Sequence, residues 1–222
     1  ELRDRLMNLN QLIGDFRPIL ERSIGNGITL KRDLAADLWN CRVDPVQAEM
    51  ALLNIIANAR DATGGIGKVT IATRNAVLPE DASVAKLEPG EYVVVSVCDD
   101  GPGIDLTTAD KLFEPFYTTK EMGKGAGLGL AMVYGFMRQS GGLATVTNGD
   151  GGGAEFSLYF PRASGAVERK PAAALAPHTG GAERVLMVED QAEVGELGRT
   201  ILEDLGYEVV LVNSARGALD TL

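Results

Sequence analysis

Residues 92–104 read YVVVSVCDDGPGI. The nearly continuous apolar run from Tyr92 to Cys98 is what a central strand, buried on both faces, looks like. It delivers Asp99 to its end and changes at once to Gly101-Pro102-Gly103, where missing side chains let the backbone turn sharply and approach a ligand closely. A carboxylate held at such a point can accept the hydrogens of an exocyclic amine. Asp-Gly-Pro-Gly is equally an ordinary turn, so its meaning depends on what lies on either side.

Upstream, Asp44-Pro45-Val46-Gln47 starts a helix, with Asp as N-cap, Pro in the first helical position and Gln three after the cap. The helix runs to about Ala62. Within ALLNIIANARDA nearly every residue is apolar or alanine, yet Asn54, Asn58 and Asp61 fall on one face at i, i+4 and i+7. A buried amide without a partner costs about 1–3 kcal/mol. Either these amides pair with neighbouring backbone as a structural ladder, or the stripe lines a polar cavity with an Asn oxygen available to a hard cation such as Mg²⁺.

Downstream comes FEPFYTTKEMGKGAGLGLAMVYG, residues 113–135. Gly123, Gly125, Gly127 and Gly129 alternate into a helix that begins near Leu128 or Leu130 and ends before Gly141-Gly142. Glycine-rich backbone feeding a helix N-terminus presents free N–H groups and the positive end of the dipole, which favour phosphate. Lys120 and Lys124 add positive charge. No Gly-Lys-Ser/Thr closes the loop, so the Walker spacing is absent, and the position does not suit a dinucleotide fingerprint.

The remaining periodicities place these pieces in a sheet covered by helices. Leu2, Leu6, Leu9, Ile13, Phe16 and Leu20 trace a helical stripe that Gly14 and Pro18 divide in two, the second piece closing before Gly25-Asn26-Gly27. Ile28, Leu30 and Leu34 alternate as in an edge or half-buried strand, and Val69, Ile71 and Thr73 alternate in the next strand. Residues 143–148 and 154–160 read as a hairpin around Gly149-Asp150-Gly151-Gly152-Gly153. Residues 163–182 hold seven Ala, three Gly and two Pro without apolar periodicity and read as a linker. Beyond it, Arg184–Val188 is a short strand ending in Glu189-Asp190; Val194, Leu197, Ile201 and Leu205 trace a helix face; Glu208–Val212 is a second strand, and a further element starts near Ser214.

Composition bounds the function classes. The chain has 222 residues, 45% hydrophobic and 23% charged, within the globular range. At roughly 150 residues per domain this is one and a half domains, and a start at Glu1 is expected of a piece of something longer. The net charge of −10 repels a phosphate backbone and argues against a nucleic-acid partner. No apolar stretch approaches the ~20 residues that span a bilayer. Cys41 and Cys98 are read as buried, reduced thiols of a cytosolic protein.

Taken in order, the Asn-bearing helix, Asp99-x-Gly101-x-Gly103, the Phe113–Lys120 box and the second glycine box resemble the ATP-binding domain of histidine kinases. That domain is a branch of the Bergerat fold shared with the Hsp90 chaperone, gyrase B and MutL families. The resemblance covers about residues 10–161, and FEPFYTTK with GLGLAMVYGF looks like the nitrogen-regulator type of sensor kinase. It implies an α/β fold of the α+β two-layer kind, a mixed sheet with helices on one face.

By that resemblance the cofactors are ATP and Mg²⁺. Asn58 should bind Mg²⁺ bridging the phosphates, with Asn54, Asp61 and Ala62 completing that face. Asp99 should read the adenine amine, with Gly101, Gly103 and Ile104 shaping its pocket. Residues from about 105 to 126 should form a lid, with Lys120, Gly125, Ala126, Gly127 and Leu128 toward the phosphates. In the hydrolysing relatives a glutamate stands where Asn54 is; an amide cannot serve as that base, so transfer to a protein side chain is favoured over hydrolysis. One departure is Ala154, where the family often has threonine.

The C-terminal piece, RVLMVEDQAEVGELGRTILEDLGYEVV, resembles the start of a response-regulator receiver domain of flavodoxin-like fold. Glu189 and Asp190 would be its acidic Mg²⁺ cluster, incomplete because the chain stops before the phosphoacceptor aspartate. The expected division is 1–9, the end of a dimerisation helix; 10–162, the ATP-binding catalytic domain; 163–182, the linker; and 183–222, a truncated receiver. Only His178 is present, in the linker, so no catalytic residue of the phosphoacceptor kind is expected in this chain. The implied partners are the dimerisation and histidine phosphotransfer domain of the same protein, a response regulator or receiver domain, and a second copy in a homodimer. The whole is expected to be a cytoplasmic hybrid sensor kinase, with the full-length protein open to membrane anchoring. The alternative is a docking module that holds ATP but transfers nothing.

Overall fold

A computed structural model describes residues 4–79, 87–118, 127–149, 152–165, 183–189 and 206–221, with 195–196, 198–199 and 202–203. The chain forms two compact units, Glu1–Glu168 and Arg169–Leu222.

In the first unit, β1 (Arg5–Met7) leads into α1 (Leu9–Asp15) and α2 (Arg17–Ile24), followed by β2 (Ile28–Leu34), β3 (Cys41–Val43) and α3 (Pro45–Ala62). Then come β4 (Gly67–Leu78), β5 (Gly90–Asp99), a 3₁₀ helix over Leu106–Phe113, α4 (Gly129–Gln139), β6 (Leu143–Asn148) and β7 (Ala154–Pro161). Five strands form one sheet in the order β2-β4-β5-β7-β6. The β2–β4 pair is parallel and the other pairs are antiparallel. The apolar run around Val95 is thus the middle strand, and the alternating strand from Ile28 is an edge, as their patterns predict.

Side chains alternate across a strand, so Val93, Val95, Val97 and Asp99 share a face with Val69 and Ile71 of β4 and with Phe156, Leu158 and Phe160 of β7. That face carries the core, and Leu12, Leu20, Ile55, Ile56 and Met137 of the four helices are buried in the same cluster. Cys98 falls on the opposite face. Burial, then the negative charges of Glu155 and Asp99, raise its thiol pKa.

The N-terminal stripe corrects one expectation. Arg5–Met7 is extended and pairs antiparallel with Cys41–Val43, Leu6 opposite Arg42, so the described part of the segment 1–9 expected to end a dimerisation helix contains a strand at 5–7. Asn8 breaks the stripe: its side chain caps α1 by accepting from the Asn10 N–H at 3.0 Å and donates to the Leu38 carbonyl at 2.8 Å. An N-cap needs extended backbone, which Asn8 has at φ −97° and ψ 123°, so helix cannot run through it. The division at Phe16 into α1 and α2 matches the break expected from Gly14 and Pro18.

The unit closes on itself at Arg162. Its guanidinium bonds both carboxylate oxygens of Glu91 at 2.9 Å and lies 4.4 Å from the centre of the Trp39 ring.

The second unit contains β8 (Arg184–Val188) parallel to β9 (Glu208–Val212), followed by α5 (Ala215–Thr221). The helix face expected from Val194, Leu197, Ile201 and Leu205 lies outside the described residues, as do Asp190 and His178. Among the described residues no helix is long and apolar enough to cross a membrane.

Candidate functional site

A cavity of about 1340 Å³ opens between α3, the C-terminal end of β5, the turn after it and the start of α4. Its walls bring together Asn54, Asn58, Asp61 and Ala62 of α3, Asp99, Gly103 and Ile104, and Gly127 and Leu128. Gly101 is not part of the wall; its N–H donates to Asp99 Oδ1 at 2.9 Å. Lys120, Gly125 and Ala126 lie outside the described residues. Glu189 belongs to the second unit, and among the described residues no group of three or more His, Cys, Asp or Glu side chains could hold a metal ion.

The α3 helix presents its polar stripe to the cavity because its other side is spent. Ala48, Ala51, Leu52, Ile55, Ile56 and Ala59 are buried against the sheet and neighbouring helices. Asp44 accepts from the Val46 and Gln47 N–H groups at 3.0 and 3.3 Å, which fixes the start of the helix. At its other end Arg60 donates to the Ser23 carbonyl at 2.9 Å and pairs with Asp61 at 3.3 Å. The stripe is then met by α4: a Cβ on Gly129 would stand 3.2 Å from Asn54 Oδ1, tighter than ordinary contact, so glycine lets the two helices close.

Asp99 is 4% exposed, a buried carboxylate. Its Oδ1 accepts two backbone hydrogen bonds, from Gly101 N–H at 2.9 Å and Ala154 N–H at 3.2 Å. Its Oδ2 makes no hydrogen bond among the described residues. Oδ2 is not among the buried unpartnered atoms of the described residues and so keeps contact with the open cavity: one oxygen anchors the turn and the other is accessible to a donor there.

The start of α4, like that of α2, lacks a side-chain cap. Asn8, Asp44 and Asp105 cap α1, α3 and the 3₁₀ helix with their side chains, whereas Leu128 provides no capping bond. The first N–H groups of α4 therefore face the cavity wall without a side-chain acceptor, an arrangement suited to an anion. Phe113 packs against Tyr134 of α4 with ring centres 5.5 Å apart, and Phe116 N–H bonds the Gly127 carbonyl at 3.0 Å. Phe116 is 75% exposed and holds a left-handed φ of 68°.

Sequence patterns did not single out Asn148 at the end of β6, which bonds both backbone groups of Ile104. Nor did they single out Phe156 and Met132 as cavity walls. Strand alternation from Phe160 inward places Phe156 on the core face; nothing local marks Asn148, because its partner lies 44 residues away.

Residues 43–164 match the family described as Histidine kinase-, DNA gyrase B-, and HSP90-like ATPase. The chain is 38% identical over 234 aligned residues to the sensor kinase CckA of Brucella abortus, covering 100% of this chain and 24% of that protein. It is 33% identical to the sensor histidine kinase ZraS of Escherichia coli K12, covering 70% of this chain and 30% of that one. It thus spans less than a third of the length of either relative. Among solved structures, full-length ShkA in complex with AMPPNP aligns with 99% of this chain and 43% of its own, at a TM-score of 0.60 and 26% identity.

Proposed function

The chain belongs to the family of histidine kinase-, DNA gyrase B- and HSP90-like ATPases, and from that membership and the cavity we propose that it is the ATP-binding catalytic part of a sensor histidine kinase in two-component signalling. It transfers the γ-phosphoryl group of ATP to a histidine outside this chain. The observation that carries the reading is the meeting, in one cavity, of a buried carboxylate with a free oxygen, an Asn-Asn-Asp stripe and an uncapped helix start.

In this reading the Asp99 Oδ2 accepts the adenine amine, and Gly101, Gly103 and Ile104 frame the base. The N–H groups after Leu128 hold phosphate oxygens, and Gly127 lies beside them. Lys120, Gly125 and Ala126 belong to the same phosphate end. The donor set fits Mg²⁺, a hard cation that takes oxygen ligands and keeps several waters: Asn58 offers an amide oxygen, with Asn54, Asp61 and Ala62 completing that wall. Bound with the nucleotide, Mg²⁺ supplies charge neutralisation on the phosphates.

The residues present do positioning and electrostatic work. A rigid frame holding the reacting group in line replaces entropy that a free encounter would lose. Asn54 has no basic lone pair with which to deprotonate water, which favours an imidazole nitrogen as acceptor over hydrolysis. Within the family, FEPFYTTK and GLGLAMVYGF point to the nitrogen-regulator type. Residues 10–162 form the catalytic domain, 163–182 a linker and 183–222 the start of a receiver domain, in which Glu189 and Asp190 belong to the acidic metal cluster. The partners are then a two-helix dimerisation domain bearing the acceptor histidine, a response regulator, and a second copy of the whole protein.

The test is to incubate this chain with γ-labelled ATP and a separately prepared dimerisation domain carrying its histidine. Acid-labile, base-stable label on that domain is the expected result. Binding of ATP without any transfer supports instead a docking module, and fast steady hydrolysis without transfer supports the ATPase branches.

A further inference from the structure

Both ends of the turn that follows β5 hang from a single pair of residues facing each other across the β6–β7 hairpin. Asn148 and Ala154 are register partners. Ala154 N–H holds the first end, donating to Asp99 Oδ1 at 3.2 Å. Asn148 holds the second: its Oδ1 accepts from Ile104 N–H at 2.7 Å while its Nδ2 donates to the Ile104 carbonyl at 3.0 Å. The amide satisfies both backbone groups of one residue, as a neighbouring strand would.

The turn is fitted to this clamp. Gly103 holds φ +78°, and a Cβ there would stand 2.7 Å from Asn148 Oδ1, so the glycine and the amide share one tight contact. Immediately beyond, Asp105 caps the 3₁₀ helix through Thr107 N–H at 2.9 Å. Ile104 is therefore the last point tied to the sheet before the 3₁₀ segment departs. Pro102, Gly103 and Ile104 all line the cavity.

Asn148 itself is solvent-exposed and fills no core space. Its two hydrogen bonds are not needed to bury an amide, and shortening the side chain opens no internal cavity. What they do is set where the cavity wall stands.

We propose that Asn148 is a positioning residue for the nucleotide: it acts through the Ile104 backbone to hold the wall of the base pocket in its binding geometry. This rests on the nucleotide reading given above. The balance of costs sets the expected size. Loss of two hydrogen bonds of modest net worth lowers the population of the binding-ready wall, so Asn148→Ala lowers affinity for Mg²⁺-ATP about 5- to 20-fold, with the thermal midpoint falling by only about 2–6 °C. Asn148→Asp keeps the acceptor for Ile104 N–H but turns a donor into a repelling oxygen at the Ile104 carbonyl, and falls between the two.

The test pairs two readouts on the same proteins: amide hydrogen exchange at Ile104 without nucleotide, and Mg²⁺-ATP and adenosine binding by calorimetry. Support requires that Ile104 lose protection in Asn148→Ala and regain part of it in Asn148→Asp. It also requires that affinity for both ligands follow the same order, because the wall lies at the base end. Ile104 exchange that ignores the substitution overturns the proposal, as does affinity within twofold of wild type once Ile104 has lost protection. A wild-type chain that ignores Mg²⁺-ATP while Ile104 still depends on Asn148 overturns it differently: the nucleotide reading then fails, and Asn148 is left holding a loop.

Discussion

Replacing Asp99 by asparagine should invert the hydrogen-bonding sense of the base pocket without dismantling it. The geometry dictates how the new amide must lie. Oδ1 faces two N–H donors, Gly101 at 2.9 Å and Ala154 at 3.2 Å. Setting an NH₂ group against them would break both bonds, so the amide oxygen takes that place and the NH₂ takes the place of Oδ2, toward the cavity. Adenine's exocyclic amine then meets a donor instead of a charged acceptor. Loss of one bond to a charged group, ~1.5–3 kcal/mol, with a donor left unpaired, predicts at least about a 50-fold drop in ATP affinity. A 6-oxopurine offers an acceptor at the same position, so inosine triphosphate should bind the variant better than the wild type does. Calorimetric titration of both nucleotides into both proteins, with thermal unfolding as the control, reads the effect. Equal losses for ATP and inosine triphosphate, or ATP affinity within twofold of wild type, would refute the assignment of Oδ2 to the base.

Asn58→Ala should weaken Mg²⁺-ATP about tenfold, one hydrogen-bond or ligand equivalent, while adenosine without metal binds within twofold of wild type; titrations with and without Mg²⁺ separate the two. Cys41 reports on the fold. Burial raises its thiol from 9.0 to about 12, so below pH 9 it is neutral folded and unfolded and its contribution to stability is full. From about 9 to 12 the unfolded chain releases the proton and the folded chain keeps it, so stability should fall by about 1.4 kcal/mol per pH unit. Denaturant unfolding of wild type and Cys41→Ala across that range should show the shallower slope in the variant.

How much of this was legible follows from the range of the forces involved. The start of α3 was readable because the Asp44 cap and Pro45 act within one turn, and β5 was readable because burial on both faces demands apolar residues throughout. The polar stripe of Asn54, Asn58 and Asp61 left two readings open; only the approach of α4, through Gly129, decides that it faces a cavity. The strands β1 and β3 were missed because three residues carry too little pattern. Leu2, Leu6 and Leu9 match a helical period by spacing alone, and the pairing of Leu6 with Arg42 competes with it from 36 residues away. Asn148 sits beside a glycine-rich turn, where asparagine is an expected residue, so its bonds to Ile104 have no signature in the local sequence.

The two ends of the cavity are built on different terms. At the base end the turn is tied down on both sides, one Asp99 oxygen by two N–H groups and the Ile104 backbone by Asn148. That end is set before a ligand arrives, so little ordering cost attends binding there. At the α4 end the fold leaves its donors unspent. A missing cap costs a helix about 1 kcal/mol, and α4, uncapped as α2 is, carries that cost at the cavity wall, where an anion can offset it. A capping oxygen at Leu128 would compete with a phosphate for the same N–H groups. In the proposed reading the apolar residue there, weak as a cap, leaves the N–H groups of α4 to the phosphates.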